Sequence, residues 1–325
     1  MKSTRRAALA AAAAALAMPS LMRTAWAETY PSRPIRLIIG YAPGGSADIT
    51  ARLTAQWLQE KLGQPVVVES RPGAATNLAT EAVVNAAPDG YTLLLVAPAN
   101  AINTTLFAKL NFDFLRDIAP VAGIIRFPNV VVVNKDLPIT TIPELIAYAK
   151  ANPGKLNMAS SGNGSTIHMS GELFKMLTGI DMVHVPYRGA APAITDMIAG
   201  HVHVMFDNIP TAAEQVKAGS LRGLAVTSEQ RSETLPELPT VASTIPGYEA
   251  SAWYGIGAPK ATPREIIDIL NKSVNEFLAD AAAQKRLKDL GASTIPGTPQ
   301  DFGKLLADET EKWGKVVKFA GAKPG

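Results

Sequence analysis

Two glycine-containing segments have the residue types of an anion-binding turn. The first, Ala42–Ser46, reads Ala-Pro-Gly-Gly-Ser and lies between a short apolar run and a stretch of helical periodicity. Gly44 and Gly45 lack side chains, so the backbone can approach a ligand closely. The first N–H groups of the helix that follows have no intrahelical acceptor and attract an anion. The simpler alternative is a tight turn that only joins two packed elements.

The first segment does not match the phosphate-binding motifs of nucleotide-binding proteins. No Lys-Ser or Lys-Thr pair follows the glycines at the spacing of a P-loop. The dinucleotide fingerprint needs three spaced glycines, whereas this segment has two adjacent ones. We therefore expect a ligand other than a nucleotide.

The second segment, Ser161–Thr166, repeats the arrangement with the sequence Ser-Gly-Asn-Gly-Ser-Thr. We expect Gly164 and Ser165 to contact a ligand. The alternative is that Ser165 only caps the helix, and the two roles are compatible. His168, two residues into that helix, is expected to orient the backbone rather than to catalyse a reaction.

Three charged residues lie close to these segments or at the ends of later strands. A second anion beside a bound carboxylate is unfavourable, so Asp48 is expected to bond to the loop backbone, a ligand amine or a hydroxyl. Asp207 has similar alternatives and ends a strand. Arg188 either pairs with a carboxylate through two hydrogen bonds or braces its own turn.

The sequence offers little support for metal or covalent chemistry. His201 and His203 share one face of a predicted strand, which is compatible with a metal pair, but no third ligand has a matching spacing. We therefore favour a surface position for both and expect neither a metal nor a cofactor. Cysteine is absent, and no nucleophile elbow or His-Glu-x-x-His motif occurs.

The first 27 residues have the pattern of a secretory signal peptide. Basic residues precede an alanine-rich run from Ala7 to Met18, and Ala25-Trp26-Ala27 predicts cleavage after Ala27, with export by the Sec or the twin-arginine route. Four of the 31 basic residues and none of the 28 acidic ones lie in this stretch, so the remaining chain has a net charge of −1. That balance argues against nucleic acid as a partner. We expect a soluble, periplasmic protein.

Strands and helices alternate along the rest of the chain, which predicts parallel sheets. The first strand should cover 35–39, followed by a helix from an N-cap at Ser46 to a stop at Gly63. Further helices are predicted over 76–86 and 166–177, and the strand Thr92–Val96 should end at the segment 97–100. An extended stretch over 121–133, interrupted at 126–129, is expected to cross from one domain to another.

Many segments resemble the Bug family, the extracytoplasmic solute receptors of tripartite tricarboxylate transport systems. The resemblance runs in order along essentially the whole mature chain. The segments that carry it are Tyr30–Ile38, Tyr41–Gly45 with Asp48, Ala51 and Arg52, Glu69–Ala74, Pro88–Leu93, Ser165 with His168, Val185–Gly189, Phe206–Asn208 and Ala258–Pro259.

The resemblance implies an α/β, type II periplasmic-binding-protein fold of two lobes, each a mainly parallel sheet flanked by helices, with the ligand cleft between them. We place lobe 1 at 28–125 and 253–325, and lobe 2 at 126–252. The expected ligand-binding residues are Tyr41, Ala42, Pro43, Gly44, Gly45, Ser46, Asp48, Asn100, Ser161, Gly162, Asn163, Gly164, Ser165, Thr166, Tyr187, Arg188, Asp207 and Asn208.

The function implied is capture of a small organic carboxylate without chemistry, by a monomer, for uptake or for sensing. Membrane subunits of a tripartite tricarboxylate transporter are the implied partners. The alternative is an exported hydrolase or lyase that acts on a small carboxylate in the same cleft. A structural or adhesive protein is a weaker alternative, because it gives no reason for glycine-rich loops at strand ends.

Overall fold

Strand β1 (Ile35–Ile39) and helix α1 (Ser46–Leu62) form the strand–turn–helix unit that the sequence predicts. Gly63 ends α1 with φ +70°, as expected of the residue after a helix. These and the following bounds come from a computed structural model that describes residues 30–324. The predicted signal peptide lies outside the described residues.

The remaining elements continue the alternation of strands and helices. The further strands are β2 (Val66–Ser70), β3 (Thr92–Val96), β4 (Ile118–Asn134), β5 (Asn157–Ser160), β6 (Val183–Pro186), β7 (Val204–Asn208), β8 (Leu221–Val226), β9 (Ser251–Pro259) and β10 (Ser293–Thr294). The further helices are α2 (Asn77–Val84), α3 (Pro98–Leu106), α4 (Phe114–Asp117), α5 (Ile142–Ala151), α6 (Thr166–Thr178), α7 (Ala190–Ile198), α8 (Ile209–Lys217), α9 (Arg264–Ala279), α10 (Ala281–Asp289) and α11 (Pro299–Ala320).

The strands follow the order β2-β1-β3-β9-β4-β7-β5-β6, and β8 and β10 also pair with β4. The trios β2-β1-β3 and β7-β5-β6 are parallel, and antiparallel β9 and β4 join them. The carboxyl ends of parallel strands lie at one edge, which is where α/β proteins bind ligands. Each trio therefore gathers the loops after its strands along one edge.

Strand β4 is the element that the two parallel trios share. Its first part, Ile118–Pro128, pairs with β9, and its second part, Asn129–Asn134, pairs with β7 and β8. The sequence predicted an interruption over 126–129, and that detail is wrong: β4 continues through the change of partner. The residues directly after Pro128 pair with β7 and β8, so Pro128 does not end the strand.

Two other local features differ from the prediction. No helix is predicted after β3, whereas α3 begins at Pro98, and Asn100 Oδ1 accepts from the Ala97 N–H at 2.8 Å. The helix predicted to begin at Thr76 begins at Asn77 instead. It follows a left-handed turn in which Ala74, Ala75 and Thr76 have φ of 45°, 51° and 79°.

The apolar core consists of two clusters of buried side chains. One lies around Ile38, Leu94, Trp253 and Phe302. The other centres on Val131, Phe174 and Phe206, and includes side chains of α3 and α11. Contacts group Arg33–Gly325 into one compact unit, and the lobe boundaries remain a prediction. Within residues 30–324, no helix is both long and apolar enough to cross a bilayer.

Candidate functional site

The first glycine loop is held in shape by Asp48, which lies one turn into α1. Asp48 Oδ2 accepts from the Gly44 N–H and from Arg52 Nε, both at 3.0 Å. The hydrogen bond from Arg52 holds the pKa of the Asp48 carboxyl below its usual range, so this buried carboxylate is ionised. Gly44 has φ +92°, which favours glycine. Of the alternatives expected for Asp48, the bond to the loop backbone is present, and contact with a ligand remains a prediction.

Ser46 does not cap α1, which corrects the sequence prediction. Gly45 occupies the N-cap position and makes no side-chain cap, so Ser46 is the first helical residue. The Ser46 hydroxyl lies 2.8 Å from the hydroxyl of Tyr254 on β9. Burial raises the pKa of Tyr254 to about 12, so its hydroxyl is protonated. Tyr254 therefore anchors the start of α1, a contact that the sequence does not reveal because the two residues are 208 positions apart.

The second glycine loop is fixed by side chains of α6 and β5. Ser165 caps α6, and its Oγ accepts from the His168 N–H at 3.2 Å. The Gly164 N–H donates to His168 Nδ1 at 3.2 Å, and the Gly162 N–H donates to Ser160 Oγ at 3.2 Å. The prediction that His168 orients the loop backbone is confirmed.

These contacts narrow the set of backbone groups that can meet an anion. Gly44, Gly162 and Gly164 each direct their N–H to an acceptor inside the protein. The first-turn N–H groups of α1 and α6, including those of Ser46 and Thr166, lack intrahelical acceptors as at any helix start. An anion at either loop would therefore meet the N–H groups of the helix starts rather than those of Gly44, Gly162 and Gly164.

The side chains at the ends of the later strands differ in exposure and in the hydrogen bonds that they make. The Tyr187 hydroxyl donates to Asp196 Oδ2 at 2.7 Å, while Arg188 is exposed. Asp207 is 1 % exposed, and burial raises its pKa to about 7. Its Oδ2 accepts from the Thr211 hydroxyl at 2.6 Å. Within residues 30–324, Asp207 Oδ1 and Asn208 Oδ1 are buried without a hydrogen-bond partner.

Asn100 belongs to a buried polar network rather than to an open surface. Its Nδ2 donates to the Thr80 hydroxyl at 2.8 Å, while Oδ1 is used inside α3. The predicted ligand contact of Asn100 remains a prediction, and both atoms of its amide are already engaged.

Contacts through the left-handed turn and α3 connect the two glycine loops. A Cβ on Gly40, beside the first loop, would lie 2.5 Å from Thr76 Cβ. Asn103 Nδ2 donates to the Ala75 carbonyl at 2.6 Å. A Cβ on Gly164 would lie 2.5 Å from Leu106 Cδ2. The sequence does not reveal this link, since alanine and threonine give no signal for positive φ.

The two histidines considered as metal ligands make different contacts. His203 Nδ1 accepts from the Asn157 N–H at 2.8 Å, and His201 lies 3.4 Å from Asp196 and is largely exposed. Among residues 30–324, no group of three or more His, Asp or Glu side chains has the geometry of a metal site.

A crevice of about 680 Å³ lies away from the glycine loops. It is lined by 126–128, 228–234 and 291–294 together with parts of α10 and β9. Its lining carries charges of both signs, including the ion pair of Lys288 with Glu233 at 2.5 Å. We do not assign ligand binding to this crevice, because none of the predicted ligand-binding residues lines it.

Comparison with known proteins agrees with the fold. The family model described as tripartite tricarboxylate transporter family receptor matches residues 50–322. Protein BugT of Bordetella pertussis is 39 % identical over 300 residues, which cover 91 % of this chain and 92 % of that protein.

Solved structures are also similar over most of the chain. R. palustris Rpa4515 with adipate is 39 % identical with a TM-score of 0.84, covering 91 % of this chain and all of that one. The periplasmic binding protein BugD is 32 % identical with a TM-score of 0.81, over 90 % of this chain and 99 % of that one. MatC of Rhodopseudomonas palustris with bound malate is 31 % identical with a TM-score of 0.80, over 89 % of this chain and all of that one. The chain therefore belongs to the Bug family of tripartite tricarboxylate transporter receptors.

Proposed function

We propose that this protein is an extracytoplasmic receptor that binds a small organic carboxylate and leaves it chemically unchanged. The observation that carries the proposal is that two relatives of the same fold, 39 % and 31 % identical, hold adipate and malate. Both ligands are small dicarboxylates. The Bug family is a family of solute receptors, which favours binding over the alternative of a hydrolase or lyase.

The carboxylate is held by the starts of α1 and α6. Each helix start directs N–H groups and the positive end of its dipole toward the loop before it. Asp48 and His168 hold the two loops in the shape that exposes these groups. Charge-assisted hydrogen bonds from backbone N–H groups then replace the water around the carboxylate.

The variable remainder of the ligand meets the ends of β6 and β7. Arg188 is the exposed cation there, and Asp207 and Asn208 offer oxygen acceptors. Tyr187 contributes its ring more than its hydroxyl, since Asp196 already accepts the hydroxyl proton. These side chains set the selectivity among ligands, whereas the helix starts bind the carboxylate that all the ligands share.

Ligand binding closes two lobes, 28–125 with 253–325 and 126–252, like a hinge. Strands β4 and β9 are the connections, and β4 changes partners at Pro128–Asn129. Closure brings the α1 and α6 starts to the same carboxylate. Small-angle scattering is expected to give a smaller radius of gyration at ligand saturation.

The protein works in the periplasm, after removal of residues 1–27, and delivers its ligand to membrane subunits of a tripartite tricarboxylate transporter. The family description supports this partner. The near-neutral charge of residues 28–325 supports free diffusion rather than binding to nucleic acid.

A thermal-shift screen against mono-, di- and tricarboxylates tests the proposal. Ligand at about 100 times Kd stabilises the native state by roughly 2.7 kcal/mol, which raises the melting temperature by several degrees. Mass spectrometry of the recovered ligand should show no conversion. A screen without any shift contradicts the receptor proposal, and a converted ligand supports the enzyme instead.

A further inference from the structure

Two buried asparagines, Asn77 at the start of α2 and Asn103 in α3, form an amide pair. Asn103 Nδ2 donates to Asn77 Oδ1 at 2.8 Å and to the Ala75 carbonyl at 2.6 Å. Because a carbonyl only accepts, the nitrogen of Asn103 must face Ala75, and this fixes the orientation of the amide. The same bond fixes Asn77, whose oxygen faces Asn103. Asn77 Nδ2 and Asn103 Oδ1 therefore take no part in the hydrogen bond between the two amides.

Both leftover atoms are buried without a hydrogen-bond partner among residues 30–324. Asn77 is 7 % exposed and Asn103 is 1 % exposed. An unpaired polar atom in the interior is unfavourable, so the pair has one donor and one acceptor available to a further group. Neighbouring Asn100 differs, since both its Oδ1 and its Nδ2 make hydrogen bonds.

The pair lies where the two glycine loops are linked. Asn103 Oδ1 faces the second loop, because a Cβ on Gly164 would lie 3.8 Å from it. Asn77 follows directly on Thr76, which packs against Gly40 beside the first loop. A group bound by the pair would therefore belong to a ligand held by both loops.

The chemistry of the two atoms selects the group. Asn77 Nδ2 is a donor and Asn103 Oδ1 is an acceptor. A carboxylate only accepts and an ammonium only donates, so each would leave one atom unpaired. A hydroxyl does both.

We propose that Asn77 and Asn103 form a subsite for a hydroxyl group on the carboxylate ligand, with Asn77 donating to its oxygen and Asn103 accepting its proton. The inference rests on the proposed function, since the ligand is the carboxylate that the two loops hold. It makes hydroxycarboxylates the preferred class over their deoxy analogues.

Calorimetric titration with L-malate and succinate, which differ by one hydroxyl, tests the subsite. The native protein should bind L-malate at least about tenfold more tightly, because a site built to bond a hydroxyl discriminates against a ligand lacking it. Asn77→Leu should reduce the ratio of the two Kd values to about one, within twofold, with Asn77→Ala as a smaller second variant. Asn134→Leu is the matched control: Asn134 is also buried, its amide is fully bonded to Met197 and Asp136, and the ratio should not change.

The ratio of the two Kd values tests the subsite separately from the proposed receptor function. If the native protein binds both acids equally, or if the Asn77 variants keep the preference, the subsite is wrong while the receptor stands. An equal loss for both acids indicates a bound water in place of a ligand hydroxyl and also overturns the subsite. If the native protein binds neither acid, the subsite is overturned, and the thermal-shift screen with other carboxylates decides the proposed function separately.

Discussion

His168 and His184 stack face to face, with ring centroids 3.6 Å apart and planes at 7°. His168 Nδ1 accepts from the Gly164 N–H, and His184 Nε2 lies 2.6 Å from Ser160 Oγ. Because Nδ1 accepts, His168 carries its proton on Nε2, which faces Glu172 Oε1 at 3.7 Å. The stack therefore supports the second glycine loop at both its ends.

We expect His168 to act through the acceptor it offers to Gly164. His168→Asn places an amide oxygen near the position of Nδ1 and should bind adipate within about twofold of the native protein. His168→Phe keeps a ring against His184 but leaves the Gly164 N–H unpaired, so binding should weaken roughly five- to tenfold. Titration calorimetry on folded variants measures both, and native affinity in His168→Phe would show that the bond does not position the loop.

The stack also makes stability depend on pH. Burial, followed by the nearby His168, lowers the pKa of His184 to about 3. The folded state therefore holds fewer protons than the unfolded chain, so this contribution is complete above about pH 6.5 and declines as the pH falls toward 3.

His184→Gln removes this titration while its amide can still reach Ser160. Melting temperatures at pH 7.5 and 4.5 should therefore fall less in the variant than in the native protein. The carboxylates common to both proteins cancel in this comparison. Equal falls would mean that His184 does not resist protonation in the folded protein.

Local signals made the opening of the fold predictable. The strand Ile35–Ile39 and the helix up to Leu62 follow from patterns among residues that are close in sequence, and Gly63 ends the helix. The cap at Ser165 and the role of His168 followed for the same reason, since their partners lie within four residues. Short-range hydrogen bonds are the part of a site that spacing can reveal.

Contacts between distant residues were not predictable. Tyr254 reaches Ser46 across 208 positions, and Asn103 reaches Asn77 across 26. Helix α3 was missed because asparagine and threonine are weak helix formers, and it is held by packing and by Asn100. The turn at Ala74–Thr76 adopts positive φ without glycine, so tertiary contacts rather than propensity set its backbone.

Asp207 gives a second pH prediction, of opposite sign. Its pKa is raised to about 7 by burial, so the folded state binds a proton more tightly than the unfolded chain. Ionisation therefore destabilises the fold as the pH rises from about 4 through 7. Asp207→Asn keeps an acceptor for Thr211 and should melt a few degrees higher than the native protein at pH 8, with no gain near pH 4. A gain that is equal at both pH values would contradict a buried, titrating carboxyl.

The central claim is that backbone N–H groups at helix starts hold the carboxylate. Thr166 is the first residue of α6, where proline is tolerated and removes only an N–H that the helix does not use. Ala281, the exposed first residue of α10, offers a matched control for the same change. Gly164→Val is a less direct test, since its φ of +73° and Leu106 would disturb the loop itself.

Titration calorimetry with adipate on Thr166→Pro, Ala281→Pro and Arg188→Ala tests this claim most directly. Loss of one charge-assisted hydrogen bond is worth about 1.5–3 kcal/mol, so Thr166→Pro should weaken binding roughly ten- to hundredfold. Ala281→Pro should leave the Kd unchanged, and Arg188→Ala should weaken binding by less than Thr166→Pro. Native affinity in Thr166→Pro together with abolished binding in Arg188→Ala would show that a guanidinium holds the carboxylate and that the helix starts do not.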